Sequence, residues 1–278
     1  MDLKNKLVGF PHVYYFNMDE ETDRREYMET QFNKYDIKYT RISGNRFKSS
    51  NVKEWIDVFK DGETLLENNN SSSLLGNFAN HILFLKEWYE TSNEQMIILM
   101  EDDYDLSLID YWHFDWEYLM SRLPFDWDTV QLGYEHFERI EFYLSHKDYR
   151  SFNFGPTLIN KNHIKKILDL YLDNNDKIMS RGHPCYGIHK NMFSVDFSFN
   201  HVGKNYTIPI ITTNTDFFQN DNSDHVYKRH HTNRFIYHYW WKNKRDQFNL
   251  DDFFRMNKPN DNEMTEYLQN YASRALSF

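Results

Sequence analysis

A chain of 278 residues is long enough for one large core with an appendage, and 40% hydrophobic with 18% aromatic content excludes disorder throughout. The net charge of -10 makes the average field repulsive to nucleic acid and to anionic membrane, so no nucleic-acid partner is expected unless a local basic patch overrides it. A single cysteine, Cys185, forbids an intrachain disulfide, and neither a signal-peptide stretch in residues 1–10 nor a run of spanning length occurs, so the sequence reads as soluble and cytoplasmic, without a transmembrane segment.

Residues 12–17 (His-Val-Tyr-Tyr-Phe-Asn) read as a first strand. Residues 22–35 set Tyr27, Met28, Gln31 and Phe32 at helical spacing, with Asp23 and Glu26 in the opening turn, where acids suit the helix dipole. Residues 37–42 complete a β-α-β opening, which favours a parallel sheet with helices on its faces. The run Asn68-Asn69-Asn70-Ser71-Ser72-Ser73 reads as a mobile loop ending in a helix cap. Leu74, Leu75, Phe78, Ile82, Leu85 and Trp88 then mark an amphipathic helix that leads into a strand beginning at Met96. Residues 128–133 and 153–160 read as further strands, Ile164, Ile167, Leu168 and Tyr171 as another helix, and residues 206–212 as a last strand. Beyond Asn214 the chain turns polar, aromatic and basic before a terminal helix near residues 262–276. The division expected is a catalytic domain at 1–215 and an extension at 216–278 packed upon it.

The chemistry concentrates at Met96-Ile97-Ile98-Leu99-Met100, an apolar run too short for a helix, which ends in Glu101-Asp102-Asp103. Three carboxylates at the carboxyl end of a buried strand repel one another. A hard divalent cation, Mg²⁺ or Mn²⁺, would offset that repulsion and leave coordination positions for phosphate. The competing reading is an acidic turn whose charges are solvated or cap the next element.

Asn17-Met18-Asp19 followed by Asp23-Arg24-Arg25, Gly76-Asn77-Phe78-Ala79-Asn80-His81 with Trp88, and Met100-Glu101-Asp102-Asp103 occur in an order that resembles glycosyltransferase family 25, the lipooligosaccharide and collagen galactosyltransferase family. The later segments 128–133, Gly155-Pro156-Thr157, Val195-Asp196, Pro209 and Ser223-Asp224 extend the likeness. Two departures stand out: Glu20-Glu21 replaces a pair of arginines, and Asn77 and Asn80 replace the family's cysteine and serine. The resemblance implies an α/β fold of GT-A type, with a mostly parallel central sheet and helices on both faces. It also implies a UDP-linked sugar donor, a glycan or glycosylated acceptor, and a divalent metal, Mn²⁺ or Mg²⁺.

On that resemblance Asp103 is the principal metal ligand, Glu101 faces the ribose or donor sugar, and Asp102 is a second ligand or an orienting group. Asn17 and Arg24 would contact the nucleotide and a phosphate, Gly76 would permit close backbone approach, and His81 would touch the donor. Each has a plainer explanation: strand-end capping for Asn17, a surface ion pair for Arg24, an ordinary loop glycine for Gly76 and a structural histidine for His81. Asp196, an acid between apolar neighbours, is the candidate base, because desolvation raises a carboxyl pKa toward a useful value; a helix cap or an acceptor-orienting carboxylate is the alternative. His225 is the candidate second metal ligand, against an ordinary exposed histidine.

Residues 224–245 mix histidine, lysine and arginine with Tyr227, Phe235, Tyr237, Tyr239, Trp240 and Trp241, a composition suited to folding over a donor or to stacking single-stranded bases. Trp112, Trp116 and Trp127 either line a glycan groove or pack in the core. His183, Cys185 and His189 are too few and too irregular for a zinc site. Three functions therefore compete: a metal-dependent inverting hexosyltransferase, a non-catalytic sugar-nucleotide or glycan-binding domain, and a metal-dependent phosphohydrolase or nuclease.

Overall fold

The computed structural model describes residues 3–46, 56–57, 69–133, 142–147, 155–172, 178–179, 195, 199, 202–218, 224–247 and 249–254, with the backbone alone for 3–4, 46, 56–57, 69–75, 178–179, 218, 224–229 and 247. Asp196, the zinc candidates His183, Cys185 and His189, and the expected helix near 262–276 lie outside the described residues.

In chain order the elements are α1 (Leu3–Lys6), β1 (Val13–Asn17), α2 (Thr22–Tyr35), β2 (Tyr39–Ser43), β3 (Ile56–Asp57), α3 (Asn69–Thr91), β4 (Met96–Glu101) and β5 (Tyr104–Asp105). They continue as α4 (Trp116–Arg122), β6 (Thr129–Gly133), β7 (Ser145–His146), β8 (Thr157–Asn160), α5 (Lys161–Tyr171), β9 (Ile178–Met179), β10 (Asn205–Thr213), α6 (Asp224–Lys244) and α7 (Leu250–Phe253). The fold is mixed α/β. The central sheet runs β2-β1-β4-β8-β6-β10-β5, with β7 also on β10, while β3 and β9 pair apart from it. β1 is parallel to β2 and to β4, and β6 is parallel to β10; β8 lies antiparallel between β4 and β6. β2, β1, β4, β6 and β10 thus point the same way, and β8 is the reversed strand within an otherwise parallel set.

Strand alternation divides the core between the two faces of this sheet. Tyr15, Ile98 and Met100 pack with Met28 and Phe32 of α2 and Tyr237 and Trp241 of α6. Phe16, Ile97 and Leu99 face Phe78, Ile82 and Leu85 of α3 and Ile164 and Ile167 of α5. The burial of β4 on both faces explains its unbroken apolar run. α2 stops where Asp36 takes a left-handed conformation, φ 56, and the Ile37 N–H bonds back to Phe32 O at 2.9 Å.

α3 begins at Asn69, so Asn69 to Ser73 are helical where the sequence suggested a loop. Serine and asparagine are weak helix formers, yet extending a helix already anchored by the packed turns from Phe78 to Trp88 costs little beside nucleating one. The basic and aromatic stretch is a single helix, α6, and Trp112 and Trp116, each 1% exposed, belong to the core rather than to a groove. No helix among the described residues is long and apolar enough to cross a membrane.

β10 bends. Its register to β6 shifts between Thr207 and Ile211, around Pro209, which has no N–H to offer the ladder. The carbonyls there are satisfied from the side: Trp241 Nε1 donates to Pro209 O at 2.8 Å and Trp112 Nε1 to Ile210 O at 3.1 Å. Past the bend, Thr212 and Thr213 pair antiparallel with Asp105 and Tyr104.

At the amino ends of β6 and β10, Lys166 Nζ donates to both oxygens of Asp128, at 2.7 and 2.8 Å, and the Lys204 N–H donates to Oδ2 at 2.8 Å. Gly203 sits beside this carboxylate with φ +79, and a Cβ there would lie 2.3 Å from Asp128 Oδ2. Gly203→Ala should lower stability by about 1–3 kcal/mol, through backbone strain and displacement of the ion pair, in a urea titration followed by circular dichroism.

Candidate functional site

The connection β1-α2-β2 steps to one side of β1, and β2-α3-β4 returns past it to the other. α2 and α3 consequently cover opposite faces of the sheet, and the carboxyl ends of β1 and β4 flank the point where strand order reverses. Open α/β sheets bind ligands at such a point. Asn17 ends β1, and Phe16 pairs with Glu101, so Asn17 and the three acids meet at this crevice.

Asp102 is held by protein groups on both oxygens. Asn17 Nδ2 donates to Oδ2 at 2.6 Å, and Arg24 Nη1 donates to Oδ1 at 3.2 Å. Asn17 Nδ2 also donates to Glu21 O at 2.9 Å, while Arg24 Nη2 donates to Phe217 O at 3.3 Å with its guanidinium 5.2 Å from the Phe217 ring. Behind them Arg41 Nε donates to Asn17 Oδ1 at 2.8 Å and pairs with Asp19, which also accepts from Ser43 Oγ at 2.9 Å. Those hydrogen bonds from Arg41 and Ser43 hold the Asp19 carboxyl below its ordinary pKa.

Glu101 is half-buried and accepts from Asn77 Nδ2 at 3.2 Å. Asp103 is 8% exposed, and its carbonyl accepts from the Asn214 N–H at 2.6 Å, which ties the acidic turn to the tail of β10. Gly76 is buried within α3, and its carbonyl accepts from Asn80 Nδ2 at 2.8 Å; the same amide donates to Gly44 O at 3.0 Å and joins α3 to the turn after β2. His81 is fully buried, stacked on Phe16 with ring centroids 3.8 Å apart, and its Nδ1 lies 2.9 Å from Asn77 O. His81 therefore shares the helix turn that carries Asn77 toward Glu101.

The fold thus brings Asn17 and Arg24 directly onto Asp102 and sets Glu101 and Asp103 beside it in the chain, while Gly76 and His81 belong to the turns of α3 on either side of Asn77, which meets Glu101. His225 belongs to the first turn of α6 by its backbone, and its side chain is outside the described residues. Among the described residues no three of His, Cys, Asp and Glu converge as a metal cage. The oxygen donors of the acidic turn suit Mg²⁺ or Mn²⁺, which commonly take one or two protein carboxylates and complete their shell with phosphate and water. Asp105 and His238 carry no signal in the sequence for this neighbourhood, and Arg41, Asn77 and Arg234 carry none for a site role of their own. Arg234 reaches Asp105 across 129 residues of sequence, and no local spacing encodes such a contact.

Residues 10–112, from just before β1 to past the acidic turn, match the model of glycosyltransferase family 25 (LPS biosynthesis protein). This match supports a glycosyltransferase activity. No curated protein matches the chain. Among solved structures, the crystal structure of A197 from STIV aligns over 73% of this chain and 84% of that chain, at 14% identity and a TM-score of 0.37.

Complete burial pushes the His81 imidazole down to about 4, and the hydrogen bond to Asn77 O only partly opposes it. Since an unfolded histidine titrates near its ordinary value of about 6.5, the unfolded chain binds the extra proton first, and stability should fall as pH drops from about 6.5 to about 4. The loss from this group is on the order of 3 kcal/mol. Urea titrations at pH 7.5 and 4.5 should show His81→Leu with a shallower acid dependence than the wild type.

Proposed function

We propose that the protein is a metal-dependent, inverting glycosyltransferase on a GT-A type fold, which moves a hexose, galactose or glucose, from a UDP-sugar onto a glycan or glycosylated acceptor. The observation that carries this reading is the family 25 match across residues 10–112, because that stretch includes both strand ends at the reversal of strand order and the whole acidic turn.

In the reaction the acceptor hydroxyl oxygen attacks the anomeric carbon, the bond from that carbon to the diphosphate oxygen breaks, and its electron pair leaves with the diphosphate. The hydroxyl proton passes to a carboxylate, for which Asp196 is the assignment. Asp103 would be the principal ligand for a divalent cation and His225 a second; such a cation, when bound, would supply positive charge to offset what develops on the departing diphosphate. Arg24 has the planar fork that suits a phosphate, and beside Asp102 it keeps 26% of its side chain exposed to meet one. Asn17 serves the nucleotide, Glu101 the ribose or donor sugar, and Gly76 the close approach of backbone to donor. Asp102 orients Asn17 and Arg24, and His81 acts through Asn77.

A second reading, a sugar-nucleotide-binding domain that has lost the reaction, is favoured by Asn77, which hydrogen-bonds Glu101 where the family resemblance has cysteine.

Thermal shift against a panel of UDP-sugars tests the reading. A ligand at 100 times its Kd stabilises by about 2.7 kcal/mol, so the true donor should raise Tm by several degrees, and more with Mn²⁺ than without. Asp103→Ala should erase the metal-dependent part. Asp196→Asn should retain donor binding and lower turnover by about 10²–10⁴-fold. Protein that neither binds nor hydrolyses any UDP-sugar in Mn²⁺ would overturn the enzyme, whereas binding without any turnover in the wild type would select the second reading.

A further inference from the structure

The acidic turn is fixed upstream by β4, which is locked into the sheet, and downstream by contacts that depend on α6. After Asp103 the chain makes the two residues of β5, Tyr104 and Asp105, paired antiparallel with Thr213 and Thr212. The partner strand ends at Thr213; Asn214, Thr215 and Asp216 follow it, and the Asn214 N–H holds the Asp103 carbonyl. Two short segments, neither part of a regular ladder of any length, therefore frame the carboxylate assigned to the metal.

One side chain from a third element spans both segments. Arg234 of α6 donates from Nη2 to Asp105 Oδ2 at 3.0 Å and from Nη1 to Thr215 Oγ1 at 3.3 Å, with Asp216 Oδ1 at 3.7 Å from Nη1. Asp105 is buried and has its other oxygen on the Ser107 N–H at 2.9 Å, so the carboxylate is fixed on both sides. His238, one turn along α6, lies 3.5 Å from Asp105 Oδ2 and 3.3 Å from Thr212 Oγ1, which extends the same strap by a turn. The helix carrying the strap is anchored in the core by Tyr237 and Trp241. Arginine is the residue for this task, because a rigid fork with several donors can engage two acceptors in one plane, while lysine offers a single point charge.

We infer that Arg234 is a positioning residue for the divalent-cation site, holding Asp103 in its coordinating position by clamping Asp105 on one side of it and Thr215 on the other. This rests on the reading of Asp103 as a metal ligand. The role differs from the phosphate contact proposed for Arg24, since Arg234 acts through the two segments that flank Asp103.

The test measures Mn²⁺ binding to the UDP-saturated full chain, by the electron paramagnetic resonance signal of free Mn²⁺, and UDP binding without metal by calorimetry. Arg234→Lys keeps the charge beside Asp105 and loses the span. It should weaken Mn²⁺ binding about tenfold, as loss of a residue that orients a ligand does, and leave metal-free UDP affinity unchanged. In an Asp103→Asn background the same change should weaken Mn²⁺ no further, since the two substitutions act through one carboxylate. Thr215→Val, which removes one arm without disturbing a charge, should give the same pattern at about threefold and carries the test should Arg234→Lys lose its native circular dichroism. A folded Arg234→Lys protein with wild-type Mn²⁺ affinity overturns the inference, as does an equal loss with and without Asp103. Wild-type protein that binds no UDP overturns the functional reading instead, and wild-type protein that binds UDP but no Mn²⁺ removes the metal from both.

Discussion

A carboxylate that is 7% exposed, with another acid on either side along the chain, requires a cation close by, and Asp102 has one in Arg24. Removing charge from water costs several kcal/mol per ion unless pairing and hydrogen bonds replace the lost hydration. Here Arg24 supplies the charge and Asn17 the second hydrogen bond, and each is held in turn, Arg24 by Phe217 and Asn17 by Arg41. The arrangement joins the end of β1, the start of α2, the end of β4 and the turn after β10 through four side chains. Glu101 and Asp103 are aimed by the same backbone that Asp102 pins, so the geometry of the whole crevice depends on this clamp.

The bend in β10 is the second constraint. Pro209 breaks the ladder, the register slips, and two tryptophan indoles take the carbonyls that the irregular stretch presents. The tail then lies against Tyr104 and Asp105, where α6 secures it through Arg234 and His238. Gly133 sits under the bend, where a Cβ would come within 3.1 Å of Ile211 O. α6 is therefore structural along its core-facing side and braces Asp105 and Thr215 through Arg234, which accounts for a sequence that mixes buried aromatics with cations.

Much of this was legible from the chain. The 22–35 helix, the buried strand ending in acids, and the strands at 128–133 and 206–212 are written in periodicity and in short branched runs, because those patterns reflect which face each residue must bury. The helical state of Asn69 to Ser73 was not legible, since their local preferences point to caps and turns and the helix is imposed from the packed turns downstream. Nor was the environment of His81: a histidine on an amphipathic helix can face either way, and only its stack on Phe16 decides.

By itself the sequence determined that an apolar strand delivers three carboxylates to one place, that a β-α-β unit precedes it, and that Asn17 and Arg24 lie where the first strand of that unit passes into its helix, since each of these is a matter of residues close in the chain. Tertiary structure alone decided which acid meets which cation, which way β8 runs, and that Arg234 comes round to brace Asp105. Those choices turn on contacts between segments up to 129 residues apart, where direction and distance are set by sheet order and packing and leave no periodic trace in the chain.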